Sequence, residues 1–499
     1  MFHYKKVQLQ IVNFYCCPID YSNDFPHEEW GVINKYKYFW RKSMKSKMRK
    51  ALALLIVVML SLELVACGGG GQPATEATTA PPPAETTTAA ADTVPDTDSG
   101  GGSLGDIESG AVLTYWSMWS EAEPQAIVIS EAARAFEAAN GVKIDITFNG
   151  RQMQREGIEP ALAAGQAIDL FDEDIDRVSR SWGAYLLPLN DYVNGVYSDT
   201  GGQPYLSLIS NTLMDLAKEK GDGSYTVVPY QPFIFTTMYN KRLFTDAGIT
   251  ASPKNWDEFL DVCAKLKAIG ITAMTVDNAY IQALFGYILD RVVGAGKCAE
   301  MVANKDFTDP GVLRTCQILE NLVNEGYMSQ KAATNVYPEG QASEFATEQV
   351  AMYLNGTWLP NELKELNPDI QWGSFAWPVI DPTGDGPEAN NIGAQSYGIS
   401  KNSPYPNAAF AFVRWMTIGD YDQKLATDTL GVPMANNATW PEATIEAKSI
   451  FDNTTIRLTW AVGMEDDSDI SAAISEGFQR LVTGTYNAQQ FADSLASLS

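Results

Sequence analysis

Residues 111–171 read AVLTYWSMWSEAEPQAIVISEAARAFEAANGVKIDITFNGRQMQREGIEPALAAGQAIDLF, and their rhythm decides the fold. Ala111 to Trp116 is a short β-run ending in aromatics. From Glu123 to Asn140, a stripe of Ile127, Ala132, Ala135 and Phe136 predicts a helix, which Asn140-Gly141 ends. Lys143 to Phe148 alternates apolar and polar residues as a second strand, and a helix follows through Ala161-Leu162-Ala163. Ile168-Asp169-Leu170-Phe171 reads as a third strand. Alternation of strand and helix at this spacing predicts an α/β fold with a parallel sheet. Ligands gather beyond the carboxyl ends of such strands. Trp116 to Glu121, Asn149 to Arg151 and Asp172 to Arg177 are the segments that fall there.

Further extended runs follow at Thr226 to Tyr230 and Thr236 to Asn240. Helices start at Lys241 and at Asn255. Val350 to Leu354 is a buried-type strand leading into Asn355-Gly356-Thr357-Trp358. Two more extended runs, Gly373 to Val379 and Ala394 to Ser400, are separated by a Pro/Gly-rich loop over 381–390. The body from about Ile107 to Ser499 is long enough for two domains.

Upstream of the body, Lys45, Lys47, Arg49 and Lys50 precede an apolar run from Ala51 to Leu62, closing on Leu64-Val65-Ala66-Cys67. A spanning helix needs about 20 apolar residues, and this run is shorter and interrupted by Glu63. Basic, apolar and small residues in that order form an export signal over 44–66. Its end resembles a bacterial lipoprotein signal, which implies lipidation of Cys67 and tethering at the outer face of the cytoplasmic membrane. Residues 1–43 are set aside as a non-native or disordered extension, Met44 being a natural start. Residues 67–105, rich in Gly, Thr, Ala and Pro, read as a flexible linker.

The chain carries a formal net charge of −26. Loss of the leader, with its ten Lys/Arg and five Asp/Glu, leaves the remainder near −31. Such a charge disfavours nucleic acid and anionic membrane as partners. Both histidines, His3 and His27, lie in the leader, which removes Ser-His-Asp catalysis and His-based zinc sites from the body. Cys263, Cys298 and Cys316 make no disulfide framework, although Cys298 and Cys316 could bridge. The run Asp172-Glu173-Asp174-Ile175-Asp176 invites a calcium reading, but Arg177 stands where an EF-hand loop needs Gly, and Gly183 where it needs Glu. No metal or cofactor is expected.

Five stretches in order carry a family resemblance. They are Trp116-Ser117-Met118-Trp119; Ala164 to Asp169 with Asp176-Arg177 and Leu186 to Leu189; Pro229-Tyr230 with Tyr239 to Phe244 and Asn255 to Phe259; Ala351-Met352 with Gly356-Thr357-Trp358; and Ala394 to Pro404 with Asn407 to Phe410 and Gly431-Val432-Pro433. Over about 111–435 the body resembles the extracellular sugar-binding proteins of ABC importers, the group that includes maltose-binding protein. The resemblance implies a type II periplasmic-binding-protein-like fold, with two α/β lobes, each a sheet flanked by helices, and a hinge between them. The N-terminal lobe would comprise 106–228 plus 392–435, and the C-terminal lobe 235–378 plus 436–499. Residues 229–234 and 379–391 would cross between the lobes.

Sugars combine flat apolar faces with hydroxyl rims, so aromatic rings, carboxylates, amides and Arg suit them. Trp358, in its Asn-Gly-x-Trp context, matches a stacking Trp of the family. Glu173, Asp176 and Arg177 match positions that contact hydroxyls or stack, and Glu173 replaces an aromatic. Trp116 is either core or cleft, and Trp119 is a cleft candidate. Arg151, Tyr230, Gln231, Tyr280 and Gln395 are candidates from their loops. The reading is of a non-catalytic, monomeric receptor that takes a sugar or oligosaccharide to an ABC permease. Rival readings are a surface glycosidase with a carboxylate pair, or the same fold binding a polyamine or other cation.

Overall fold

The computed structural model describes residues 105–498; the export signal, Cys67 and nearly all of the linker lie outside them. Its first elements are β1 (Val112–Ser117), α1 (Pro124–Asn140), β2 (Lys143–Phe148), α2 (Arg151–Ala163) and β3 (Leu170–Asp174). Pro124 opens α1, where a missing backbone N–H costs nothing. The stripe expected of α1 holds at Ala132 and Phe136 and fails at Ile127. Ala126, Val128, Ile129, Ala132, Ala133 and Phe136 are buried, whereas Ile127 is 58% exposed.

After α3 (Asn211–Lys220) comes β4 (Val227–Asn240), a strand of 14 residues. The chain continues through α4 (Trp256–Ala268), β5 (Thr272–Thr275), α5 (Ile281–Val293), α6 (Pro310–Asn324) and β6 (Val350–Gly356). The short α7 (Leu359–Leu363) and β7 (Trp372–Phe375) precede β8 (Ala389–Ile399). Then come α8 (Pro406–Thr417), α9 (Asp420–Thr429), α10 (Ile445–Asn453), β9 (Ile456–Arg457) and α11 (Ser468–Val482).

The strands form one mixed sheet in the order β2-β1-β3-β8-β4-β6-β5, with β7 on β4 and β9 on β8. The parallel set β2-β1-β3 follows the expected alternation. β8 then runs antiparallel to both β3 and β4, and β4 antiparallel to β6. The long strands β4 and β8 therefore belong to both ends of the sheet.

Packing divides inside these two strands. Tyr230 and Ile234 of β4, with Ile392 to Ile399 of β8, join a first core built on β1, α1 and α8. Phe235, Met238 and Ala389 join a second core built on α4, α5, α6, β6 and α11. A smaller cluster around Ile158, Phe171 and Trp182 lies under α2. α10, beyond the expected boundary at 436, buries Ala447, Ile450 and Phe451 in the first core. Cys263, Cys298 and Cys316 are free and buried. Among the described residues no helix is long and apolar enough to cross a membrane.

Candidate binding cleft

A cavity of about 250 Å³ lies between the two cores where β4 and β8 pass from one to the other. The first-core side supplies Trp119, Glu123, Gln125 and Arg151. The passing strands supply Gln231, Pro232, Phe233 and Gln395, and the end of α9 adds Thr429 and Gly431. The second-core side supplies Tyr280, Tyr337, Thr357, Trp358, Asn361 and Glu362.

Trp358 reaches this cavity because of its local sequence. β6 ends at Gly356, and a Cβ there would come within 2.0 Å of the Trp358 ring, so only glycine lets the indole lie against the strand end. The half-buried ring packs edge-on to Phe233 at 5.2 Å between centroids and lies 6.0 Å from Phe235. α7 starts directly after it and places Asn361 and Glu362 one turn further on, their backbone N–H groups donating to the Trp358 carbonyl. Glu362 accepts from the Tyr337 hydroxyl and from Gln341 Nε2 at 2.6 Å. Burial raises its carboxyl pKa, and those two bonds oppose the rise.

On the opposite wall Trp119 is buried and fixed at its edge. Its Nε1 donates to the Tyr230 hydroxyl at 2.7 Å, and that hydroxyl donates in turn to Asp172. Asp172 also accepts from the Met118 N–H at 2.9 Å. Burial pushes the Asp172 carboxyl up to about 6 against these bonds. The Arg151 guanidinium sits 4.7 Å from the Trp119 ring centroid and pairs with Glu123 at 2.9 Å.

The strand bearing Gln231 is irregular. The β4–β8 register shifts between Tyr230 and Pro232, and Gln231 stands at φ 43 in the left-handed region. Pro232 offers no N–H and so sits at the break in the ladder. Gln231 Nε2 donates to Thr429 Oγ1 at 3.2 Å, tying β4 to α9. Gln125, Gln231, Asn361 and Gln395 each keep a buried side-chain oxygen without a partner. Left-handed, non-glycine backbone costs energy and is found where function requires it.

Six expected candidates line the cavity: Trp119, Arg151, Gln231, Tyr280, Trp358 and Gln395. Five do not. Tyr230 is fully buried behind Trp119 as its hydrogen-bond anchor. Trp116 is half-buried inside β1 and packs on the cluster under α2. Glu173, Asp176 and Arg177 were expected past the end of the third strand, but β3 starts two residues later than Ile168–Phe171 implied and ends three residues later, at Asp174. Glu173 is therefore inside the sheet, with both oxygens held by Arg155 at 3.0 Å. Asp176 is exposed and pairs with Lys220 at 2.6 Å. Arg177 starts the helical turn Arg177–Ser181, away from the cavity. The residues that sequence reasoning missed include Asn361 and Glu362, which stand one turn from Trp358, and Phe233, two residues along the strand from Gln231.

A model of the bacterial extracellular solute-binding protein family matches residues 119–417, more than half of the chain. The chain belongs to that family. Its fold is the type II solute-binding fold, mixed α/β with a multi-stranded sheet. A binding protein of Brucella abortus (strain 2308) is 26% identical over 272 residues, 51% of this chain, and the chain spans 60% of that relative's length. A multiple sugar-binding protein of Streptococcus mutans is 26% identical over 249 residues, 48% of this chain and 58% of the relative. Among solved structures, apo RafE from Streptococcus pneumoniae superposes with a TM-score of 0.61 at 19% identity, over 78% of this chain and 97% of that one. At that identity the likeness carries the fold alone.

Proposed function

We propose that this protein is the substrate-binding lipoprotein of an ABC importer. It captures a sugar or oligosaccharide in the cavity between its two cores and hands it, chemically unaltered, to a membrane permease. It acts as a monomer, anchored through Cys67 at the outer face of the cytoplasmic membrane. The observation that carries the reading is the composition of the cavity. Aromatic rings from both cores face side-chain amides and charged groups, the pairing that flat, hydroxylated rings require. The multiple sugar-binding relative supports the same substrate class.

The two carboxylates of the cavity favour holding over cutting. Glu123 is occupied by Arg151, and Glu362 by Tyr337 and Gln341. The test is a thermal-shift screen of the body against mono- and oligosaccharides, followed by chromatography of each ligand that raises the melting temperature. A ligand binding only the folded form must raise it. Recovery of the saccharide intact is expected; release of shorter fragments would overturn the reading.

A further inference from the structure

Three charged side chains line the cavity: Glu123, Arg151 and Glu362. Arg151 and Glu123 neutralise each other at 2.9 Å. Glu362 has only neutral donors, Tyr337 and Gln341, and forms no ion pair among the described residues. The three groups together carry a net charge of −1, with Arg151 acting on Glu362 only from a distance. Tyr280, Tyr337 and Trp358 line the same wall as Glu362, and Phe233 of β4 adjoins it. Tyr280 stands 5.6 Å from Tyr337 and 6.3 Å from Trp358, and Trp358 5.2 Å from Phe233, centroid to centroid.

Ring faces attract cations through their quadrupoles, and a partly buried carboxylate is costly until a positive charge meets it. A neutral sugar answers the rings and leaves the carboxylate unmatched. A protonated amine answers both. We propose that this wall is an ammonium site, in which the four rings and the Glu362 carboxylate select a sugar bearing a protonated amino group. The inference rests on the sugar-binding reading above and narrows its substrate class.

The test is calorimetric titration at low ionic strength with three probes of equal length: glucosamine oligomers, their N-acetylated counterparts and neutral gluco-oligosaccharides. The aminated oligomers should bind about tenfold or more tighter than the acetylated ones, as expected for a charge-assisted contact. That preference should shrink as salt is added. Glu362→Gln, which keeps the shape and an acceptor for Tyr337, should bring the ratio of aminated to acetylated affinities to about one, the ratio and not either affinity alone being the readout. Should Glu362→Gln fold poorly, the salt series on the unaltered protein decides alone. Equal or tighter binding of the acetylated or neutral oligomers, unaffected by salt, overturns the ammonium site and leaves the sugar reading intact. Binding of spermidine with no saccharide bound would uphold the ammonium site and overturn the sugar reading.

Discussion

At the scale of single residues, the cavity's chemistry is set by groups whose positions are fixed from behind. Trp358 is held by the glycine at the end of β6 and by the rings of Phe233 and Phe235. Trp358→Ala should weaken ligand binding by roughly 2 kcal/mol, the cost of an aromatic anchor. Calorimetry on the folded variant reads it, and an unchanged dissociation constant removes Trp358 from the site. Tyr230 acts one layer deeper, bridging Trp119 and Asp172. Tyr230→Phe should cost about 1–3 kcal/mol of stability, because a buried carboxylate and the indole N–H both lose a partner. Denaturant titration measures this, and a variant as stable as the parent would refute the bridge. What the sequence could and could not reveal also shows here. The family resemblance carried by the Asn-Gly-x-Trp context pointed to Trp358, which lines the cavity. Tyr337 and Glu362 meet only in the folded chain, through segments 25 residues apart, so no local pattern pointed to them.

At the scale of elements, the alternation from β1 to β3 was legible because each strand and helix follows its own period. β3 was not framed correctly. It carries Asp172, Glu173 and Asp174, residues that hydropathy excludes from a buried strand. They are tolerated there because Tyr230, Met118 and Arg155 satisfy the first two. α1 was found and its stripe holds at Ala132 and Phe136, but Ile127 faces solvent, since an apolar residue counts toward a stripe whichever way it points. α5 is closely packed against its surroundings. It is buried on nearly every residue, and a Cβ on Gly286 would come within 2.4 Å of the Ala461 carbonyl oxygen. Gly286→Ala should therefore destabilise the protein by about 1–3 kcal/mol through overpacking against backbone. A melting temperature equal to the parent's would show that the 460–463 turn yields freely.

At the scale of the whole molecule, buried acid is the dominant electrostatic feature. Burial pushes the carboxyls of Asp172, Asp174 and Asp277 up to about 6, and those of Asp290 and Asp422 up to about 7. Their folded pKa values exceed their unfolded ones, so the folded state binds more protons between these limits. The stability they contribute is complete below about pH 4 and is lost as pH rises through about 6–7. The melting temperature should be higher at pH 5 than at pH 8 in scanning calorimetry; a rise toward pH 8 would contradict the assignment. Asp306, exposed, and Asp467, half-buried and paired with Lys305, have lowered pKa values and act in the opposite sense. The proposed anchor also belongs to this scale. Cys67→Ser should move the protein from the membrane fraction to the soluble one without changing ligand affinity, and persistence at the membrane would indicate another tether.

The irregular step at Gln231 has a mechanical consequence. Tyr230 faces Gln395 across the β4–β8 ladder, directly beside the break at Pro232, and β4 passes from one core to the other a few residues further on, between Ile234 and Phe235. In the proposed receptor the pivot would thus lie within a few residues of the grip. A sugar held by Gln231 or Gln395 would act close to the axle, on a short lever arm. Substitutions there should alter affinity and resting angle together, whereas those on the outer walls can tune affinity alone.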